Sequence, residues 1–176
     1  MTSTDRPAPQ GTYRLERVQF LPLPREKVFA FFSDAGNLER ITPDFLCFQI
    51  LSPQPIEMKP GALIDYRLKL FGIPFNWRTE IESYEPPFRF TDTQVTGPYA
   101  LWHHTHEFFE VDGGTLIVDT VVYDMPWWIL GSFAHRVFVR DTLDAIFDHR
   151  KQVIEKLLLP QPSAESAPAA ASPQPA

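Results

Sequence analysis

A single cysteine, Cys47, stands among 176 residues. One thiol makes no internal disulfide and no cysteine-rich zinc site, so packing must hold the fold together. Basic charge is also scarce. Sixteen Lys and Arg face 22 Asp and Glu for a net charge of −6, and no basic run carries interleaved aromatics, which argues against a nucleic-acid surface. No stretch approaches the ~18 apolar residues of a membrane span. The first residues, Met-Thr-Ser-Thr-Asp-Arg, lack the apolar segment of a secretory signal, so the expected location is the cytoplasm. Glycine is limited to 8 residues and none opens a phosphate-cradling loop; Asp112-Gly113-Gly114 reads as a hairpin turn. No serine is set up as a nucleophile. Cys47 lies in an apolar run and is expected to be a packed small hydrophobe within a strand.

Aromatics are abundant. They make up 14% of the chain, and Phe alone occurs 15 times. Such bulk packs a core or lines an apolar cavity. The length suits one domain. Residues 1–11 are polar with two prolines, and residues 160–176 are Pro, Ala, Ser and Gln with one charge; both are expected to be disordered. The domain therefore spans residues 12–159.

Within it, Tyr13–Leu21 alternates as a strand. Pro24 opens a helix over Arg25–Ser33, and Asp34 caps a second short helix ending at Ile41. Six further strands are expected at Cys47–Ser52, Ala62–Phe71, Phe75–Tyr84, Arg89–Thr96, Tyr99–Val111 and Thr115–Asp124. Short turns between them indicate an antiparallel meander. Residues Phe133–Leu159 form one long amphipathic helix, with Phe133, Val139, Leu143, Ile146, Phe147, Val153, Ile154 and Leu157 on its apolar stripe. The class is α+β: a seven-stranded antiparallel sheet wrapped around the last helix, enclosing a core or a cavity.

Chemistry concentrates on one strand. Trp102, His104, His106 and Phe108 alternate and so share a face. If Val111–Gly114 is the turn, His106 lies across from or near Asp119, His104 near Val121, and Trp102 near Tyr123. Asp92 and Gln94 share a face with Phe90 on the preceding strand. Two readings stand: a polar patch inside an apolar cavity, with His104, His106 and Asp119 as candidate proton-exchanging groups, or a satisfied buried network. The i, i+2 histidines also have zinc-ligand spacing, with Asp119 or a third histidine to complete the site, but His103 points to the other face. That donor set is small, and no metal or other cofactor is expected.

Arg150 falls about 20° from Leu143 on the helical wheel, between Phe147 and Leu157. It is a stem lying on the core with its guanidinium reaching out to solvent, a structural ion pair with Asp119 or Asp92, or an anchor for a carboxylate, phosphate or carbonyl of a ligand. The link Met125–Gly131 carries Trp127 and Trp128. It is either a hydrophobic plug or a lid over the cavity mouth, in which case Trp128 touches ligand and the loop makes transient membrane or partner contact.

Several motifs carry a resemblance. Phe20–Phe32 looks like the first strand and first helix of the START/polyketide-cyclase superfamily, or SRPBCC. Asn37–Pro43 is similar to its second-helix segment. Arg89–Asp92 through Gly97-Pro98-Tyr99, Trp102 and His104-Thr105-His106, with Phe147–Arg150, resembles a bacterial ligand-binding subgroup. The resemblance implies a helix-grip fold with a hydrophobic pocket between sheet and helix. The expected function is binding of a hydrophobic or aromatic small molecule at Trp102, His104, His106, Asp92, Gln94, Asp119, Tyr123, Trp128 and Arg150, in a cavity of roughly 300 Å³ or more. Alternatives are a cyclase- or dehydratase-like enzyme on an aromatic or polyketide-type substrate, and a partner-binding module using the Trp127/Trp128 loop. Oligomeric state is not legible.

Overall fold

The computed structural model describes residues 12–70, 72–125 and 132–160, excepting the side chains of residues 132–138. The Trp127/Trp128 loop lies outside the described residues, and with it the choice between lid and plug.

Strand β1 (Tyr13–Leu21) leads through Pro24 into α1 (Arg25–Phe32). A 3-10 turn at Ala35–Asn37 passes into α2 (Leu38–Ile41), and the Asp34 carboxylate caps the turn by accepting from Gly36 N at 3.0 Å. Then come β2 (Gln49–Ile50), β3 (Leu63–Leu70), β4 (Ile73–Glu85), β5 (Arg89–Thr96), β6 (Leu101–Val111), β7 (Gly114–Asp124) and α3 (Ser132–Leu158). All seven strands form one antiparallel sheet in the order β1-β7-β6-β5-β4-β3-β2. This is the expected α+β helix-grip architecture.

Register is set at the β6–β7 turn. Val111 pairs with Gly114, and Gly113 holds φ 80°, the left-handed conformation that a two-residue hairpin needs. Counting back from it places His106 opposite Asp119, His104 opposite Val121 and Trp102 opposite Tyr123. Side-chain alternation then sends His104, His106 and Phe108 inward, all buried, while His103 faces out and meets Glu82 at 3.2 Å.

The interior divides in two. Around α1, Phe29, Phe90 and Phe108 interlock with Phe32, with ring centroids of 5.2 Å for Phe29–Phe108 and 5.3 Å for Phe32–Phe108. That end is filled. The other cluster, from Leu15 and Tyr66 to Leu143 and Phe147, surrounds a space between sheet and α3.

Several expectations change. Cys47 is exposed, at φ 44° after a 3-10 turn over Asp44–Leu46. It is neither in a strand nor packed. Thr42-Pro43 starts that turn, so only Gln49–Ile50 of the expected Cys47–Ser52 strand pairs with β3. The short second helix is a 3-10 turn followed by one turn of α-helix. On α3, Leu157 is 39% exposed rather than on the buried stripe. The face opposite the stripe also has work: Asp144 pairs with Arg17 of β1, and Gln19 donates to Lys151 O at 3.1 Å and Glu155 Oε1 at 3.2 Å. These contacts clamp α3 against an edge strand.

Candidate functional site

Four ionisable side chains meet on the inner face of the sheet because of the register. Asp92 lies opposite His104 on β5–β6, and Asp119 lies opposite His106 on β6–β7. Each carboxylate is thus diagonal to the other histidine. The result is a closed ring: His104 Nδ1 to Asp92 Oδ2 3.6 Å, His106 Nε2 to the same oxygen 3.4 Å, His106 Nδ1 to Asp119 Oδ1 2.5 Å and His104 Nε2 to Asp119 Oδ1 3.4 Å. The imidazole centroids are 3.9 Å apart, and Phe90 stacks on His106 at 4.2 Å. The Asp119 oxygen and the two nitrogens facing it are deeply buried yet make no aligned hydrogen bond. The contacts are close but off-axis, held by charge more than by directional bonding.

Electrostatics follow from that burial. Loss of hydration pushes the Asp92 carboxyl up, but His106, His104 and the Arg150 charge outweigh it and hold Asp92 below the usual carboxylate range. Asp119 is likewise opposed by burial and held far lower by the two histidines. Burial and its neighbour His106 keep His104 low, whereas the two carboxylates overcome burial at His106 and raise it. Of the two, His106 holds a proton the more readily.

The ring opens onto a cavity of about 150 Å³ between the sheet and α3. Asp92, Trp102, His104, His106 and Arg150 line it. The remaining wall is mostly apolar, including Ile64, Leu68, Ile81, Leu143 and Phe147. The volume is about half of the expected one. Large aromatics explain the difference: Trp77, Tyr99 and Trp102 crowd one end, with Trp77–Trp102 at 5.4 Å and Tyr99–Trp102 at 4.8 Å.

Other expected site residues lie elsewhere. Asp119 stands behind the histidines and borders a separate small cleft with Arg17 and Arg150. Gln94 does not line the cavity. Its amide donates to Tyr99 O at 2.7 Å and accepts from Tyr99 N at 3.2 Å, pinning the β5–β6 turn. Tyr123 is buried against Tyr13, with centroids 5.4 Å apart, and does not line the cavity either. Trp128 lies outside the described residues. Arg150 stacks over Phe147 at 5.4 Å and, among the described residues, pairs with no carboxylate within 4 Å.

A polar group not expected from sequence lies deeper. Tyr66 and Trp77 both donate to Thr79 Oγ, the latter at 3.0 Å, and all three line the cavity. The signal was present: Tyr66 interrupts the inward aliphatic series Ile64, Leu68, Leu70 of β3.

Comparison with known proteins decides the family. The family described as polyketide cyclase / dehydrase and lipid transport matches residues 21–148, spanning most of the chain. The chain belongs to this family, within the SRPBCC superfamily. Several solved structures share the fold. Protein Ms6760 from Mycobacterium smegmatis aligns with TM-score 0.62 at 17% identity, covering 82% of this chain and 90% of that one. Ginseng major latex-like protein 151 from Panax ginseng gives 0.63 at 14% identity, covering 85% and 99%. A nucleoside-diphosphate sugar epimerase from Corynebacterium glutamicum gives 0.60 at 29% identity; 81% of this chain aligns with only 29% of that one. No curated protein matches the sequence. Among the described residues, no helix is long and apolar enough to cross a membrane.

Proposed function

We propose that this protein binds a small apolar or aromatic molecule between the sheet and α3, with one polar end held by Arg150 and the Asp92/His104/His106 wall. One observation carries the reading: a cavity with mostly apolar walls holds a cluster of Asp92, His104, His106 and Arg150. Arg150 brings a half-buried charge to this wall with no carboxylate within 4 Å among the described residues, which stability alone does not call for. The volume of about 150 Å³ matches roughly one six-membered ring. The family description, polyketide cyclase / dehydrase and lipid transport, supports a hydrophobic cargo.

Saturation-transfer NMR with toluene and with phenylacetate tests this. Both should bind, phenylacetate more tightly, and Leu143→Trp, which fills the cavity, should abolish both. Absence of transfer from either compound overturns the reading.

A second reading is a cyclase- or dehydratase-like enzyme. It rests on the opposite displacement of two adjacent histidines, His104 downward and His106 upward, which is how one site presents both a base and an acid. Arg150 would then hold a developing enolate or carboxylate. Turnover of an aromatic β-ketoacyl substrate, lost in both His104→Gln and His106→Gln, would establish it over simple binding.

A further inference from the structure

The geometry points to a divalent metal site formed by Asp92, His104 and His106, with Asp119 orienting the two imidazoles from behind. We infer a zinc-class first-row cation. The inference rests on the proposed ligand cavity and says what recognises the ligand's polar end.

One donor atom from each of Asp92, His104 and His106 falls within a 4.8 Å group. The Asp92 oxygen stands 3.6 Å from His104 Nδ1 and 3.4 Å from His106 Nε2. Donors at ~2.0–2.1 Å from a tetrahedral zinc lie about 3.3–3.4 Å apart, so the His106 edge has that length and the His104 edge is within a few tenths of an ångström of it. Both histidines are only 4% exposed, and each turns one nitrogen, His104 Nδ1 and His106 Nε2, toward the same Asp92 oxygen. Two imidazole nitrogens and a carboxylate oxygen converging in a buried site form a donor set of the kind that binds zinc.

The second layer fits as well. The far nitrogen of each imidazole, His104 Nε2 and His106 Nδ1, faces Asp119 Oδ1. A carboxylate behind each metal-bound histidine fixes its tautomer and raises its basicity. The two carboxylates therefore divide their work: Asp92 lines the cavity as a ligand, and Asp119, which does not, acts as the positioning residue. Sequence alone nominated Asp119 or a third histidine to complete the set. Strand pairing puts Asp92 there instead.

Three protein donors leave a position open toward the cavity. Charge indicates what fills it. With neutral imidazoles, two carboxylates and Arg150 sum to one negative charge, and a dication turns this to one positive charge. An anionic oxygen completes neutrality. The ligand class is thus an apolar molecule ending in a carboxylate or enolate, bound between the metal and Arg150.

The test uses the full chain, stripped with EDTA and exchanged into metal-free buffer at pH 7.5. Zinc is titrated in competition with a chromophoric chelator, while histidine ring-nitrogen resonances are followed by NMR. One zinc per chain should bind, with micromolar or tighter affinity, and the His104 and His106 resonances should move. His103→Ala should change nothing. Asp92→Asn should weaken binding by at least a hundredfold, and Asp119→Asn about 10–100-fold at unchanged stoichiometry. Absence of stoichiometric binding overturns the inference, as does zinc that moves only His103, His135 or His149. The resonance shifts are read on the natural sequence, so a variant that fails to fold does not blunt the test. Toluene carries no donor atom. Its binding to EDTA-treated protein keeps the cavity reading standing if zinc fails, and its failure to bind removes that reading whatever zinc does.

Discussion

Replacing Arg150 with methionine separates the two roles open to this side chain. The thioether keeps the apolar stem along α3 and removes the guanidinium. In the structure that guanidinium is half-buried, lies over Phe147 at 5.4 Å, and adds positive charge near Asp92. Losing the ring contact at such a site costs about 0.5–1 kcal/mol. Removing the desolvation of a partly buried charge offsets some of this. Stability in urea should therefore stay within about 1 kcal/mol of the natural protein. Ligand binding should change far more. A charge-assisted hydrogen bond contributes about 1.5–3 kcal/mol, so affinity for phenylacetate should fall about ten- to a hundredfold. Toluene, which offers no anion, should bind unchanged and serves as the internal control. NMR titration gives both affinities on the same sample. Unchanged phenylacetate affinity together with a stability loss above about 3 kcal/mol would refute the reasoning and assign Arg150 to a structural ion pair.

Two further substitutions probe how the sheet is divided. Phe108→Ala at the filled end removes a ring that touches Phe29 and Phe32 and is 2% exposed; urea denaturation should show a loss of about 3–5 kcal/mol with toluene binding retained. Gln94→Ala deletes two bonds to the Tyr99 backbone, so it should cost about 1–3 kcal/mol and, by loosening the turn beside Tyr99 and Trp102, broaden the indole resonance of Trp102.

The parts of the site that could be read from sequence are those fixed by local rules. Alternation put His104 and His106 on one face, and the Asp112-Gly113 turn fixed their partners across β7, because a two-residue hairpin leaves no freedom of register. The pairing of Asp92 with His104 was out of reach in detail, since β4–β5 carries irregular register at Arg78/Thr79 and Ile81/Ser83, and the β5–β6 link is longer than a tight hairpin. Gln94 shares the inward alternation yet turns back to the backbone, a choice that composition does not reveal. The Cys47 segment misled for a different reason. Its apolar neighbours fit a strand, but Pro43 starts a 3-10 turn whose end takes the left-handed conformation at Cys47. The cavity was smaller than expected because Trp77, Tyr99 and Trp102 pack against one another, and side-chain volume inside a curved sheet is not written in the hydrophobic pattern.

The central claim is that the space between sheet and α3 is where a ligand sits, and intermolecular NOEs test it most directly. With toluene bound to isotope-labelled protein, ring protons should show NOEs to the methyl groups of Ile64, Leu68, Ile81 and Leu143, all of which line the cavity. NOEs confined to the outward Val18, Phe20 and Phe109, which are 49%, 46% and 46% exposed, would place the compound on the convex face and contradict the account.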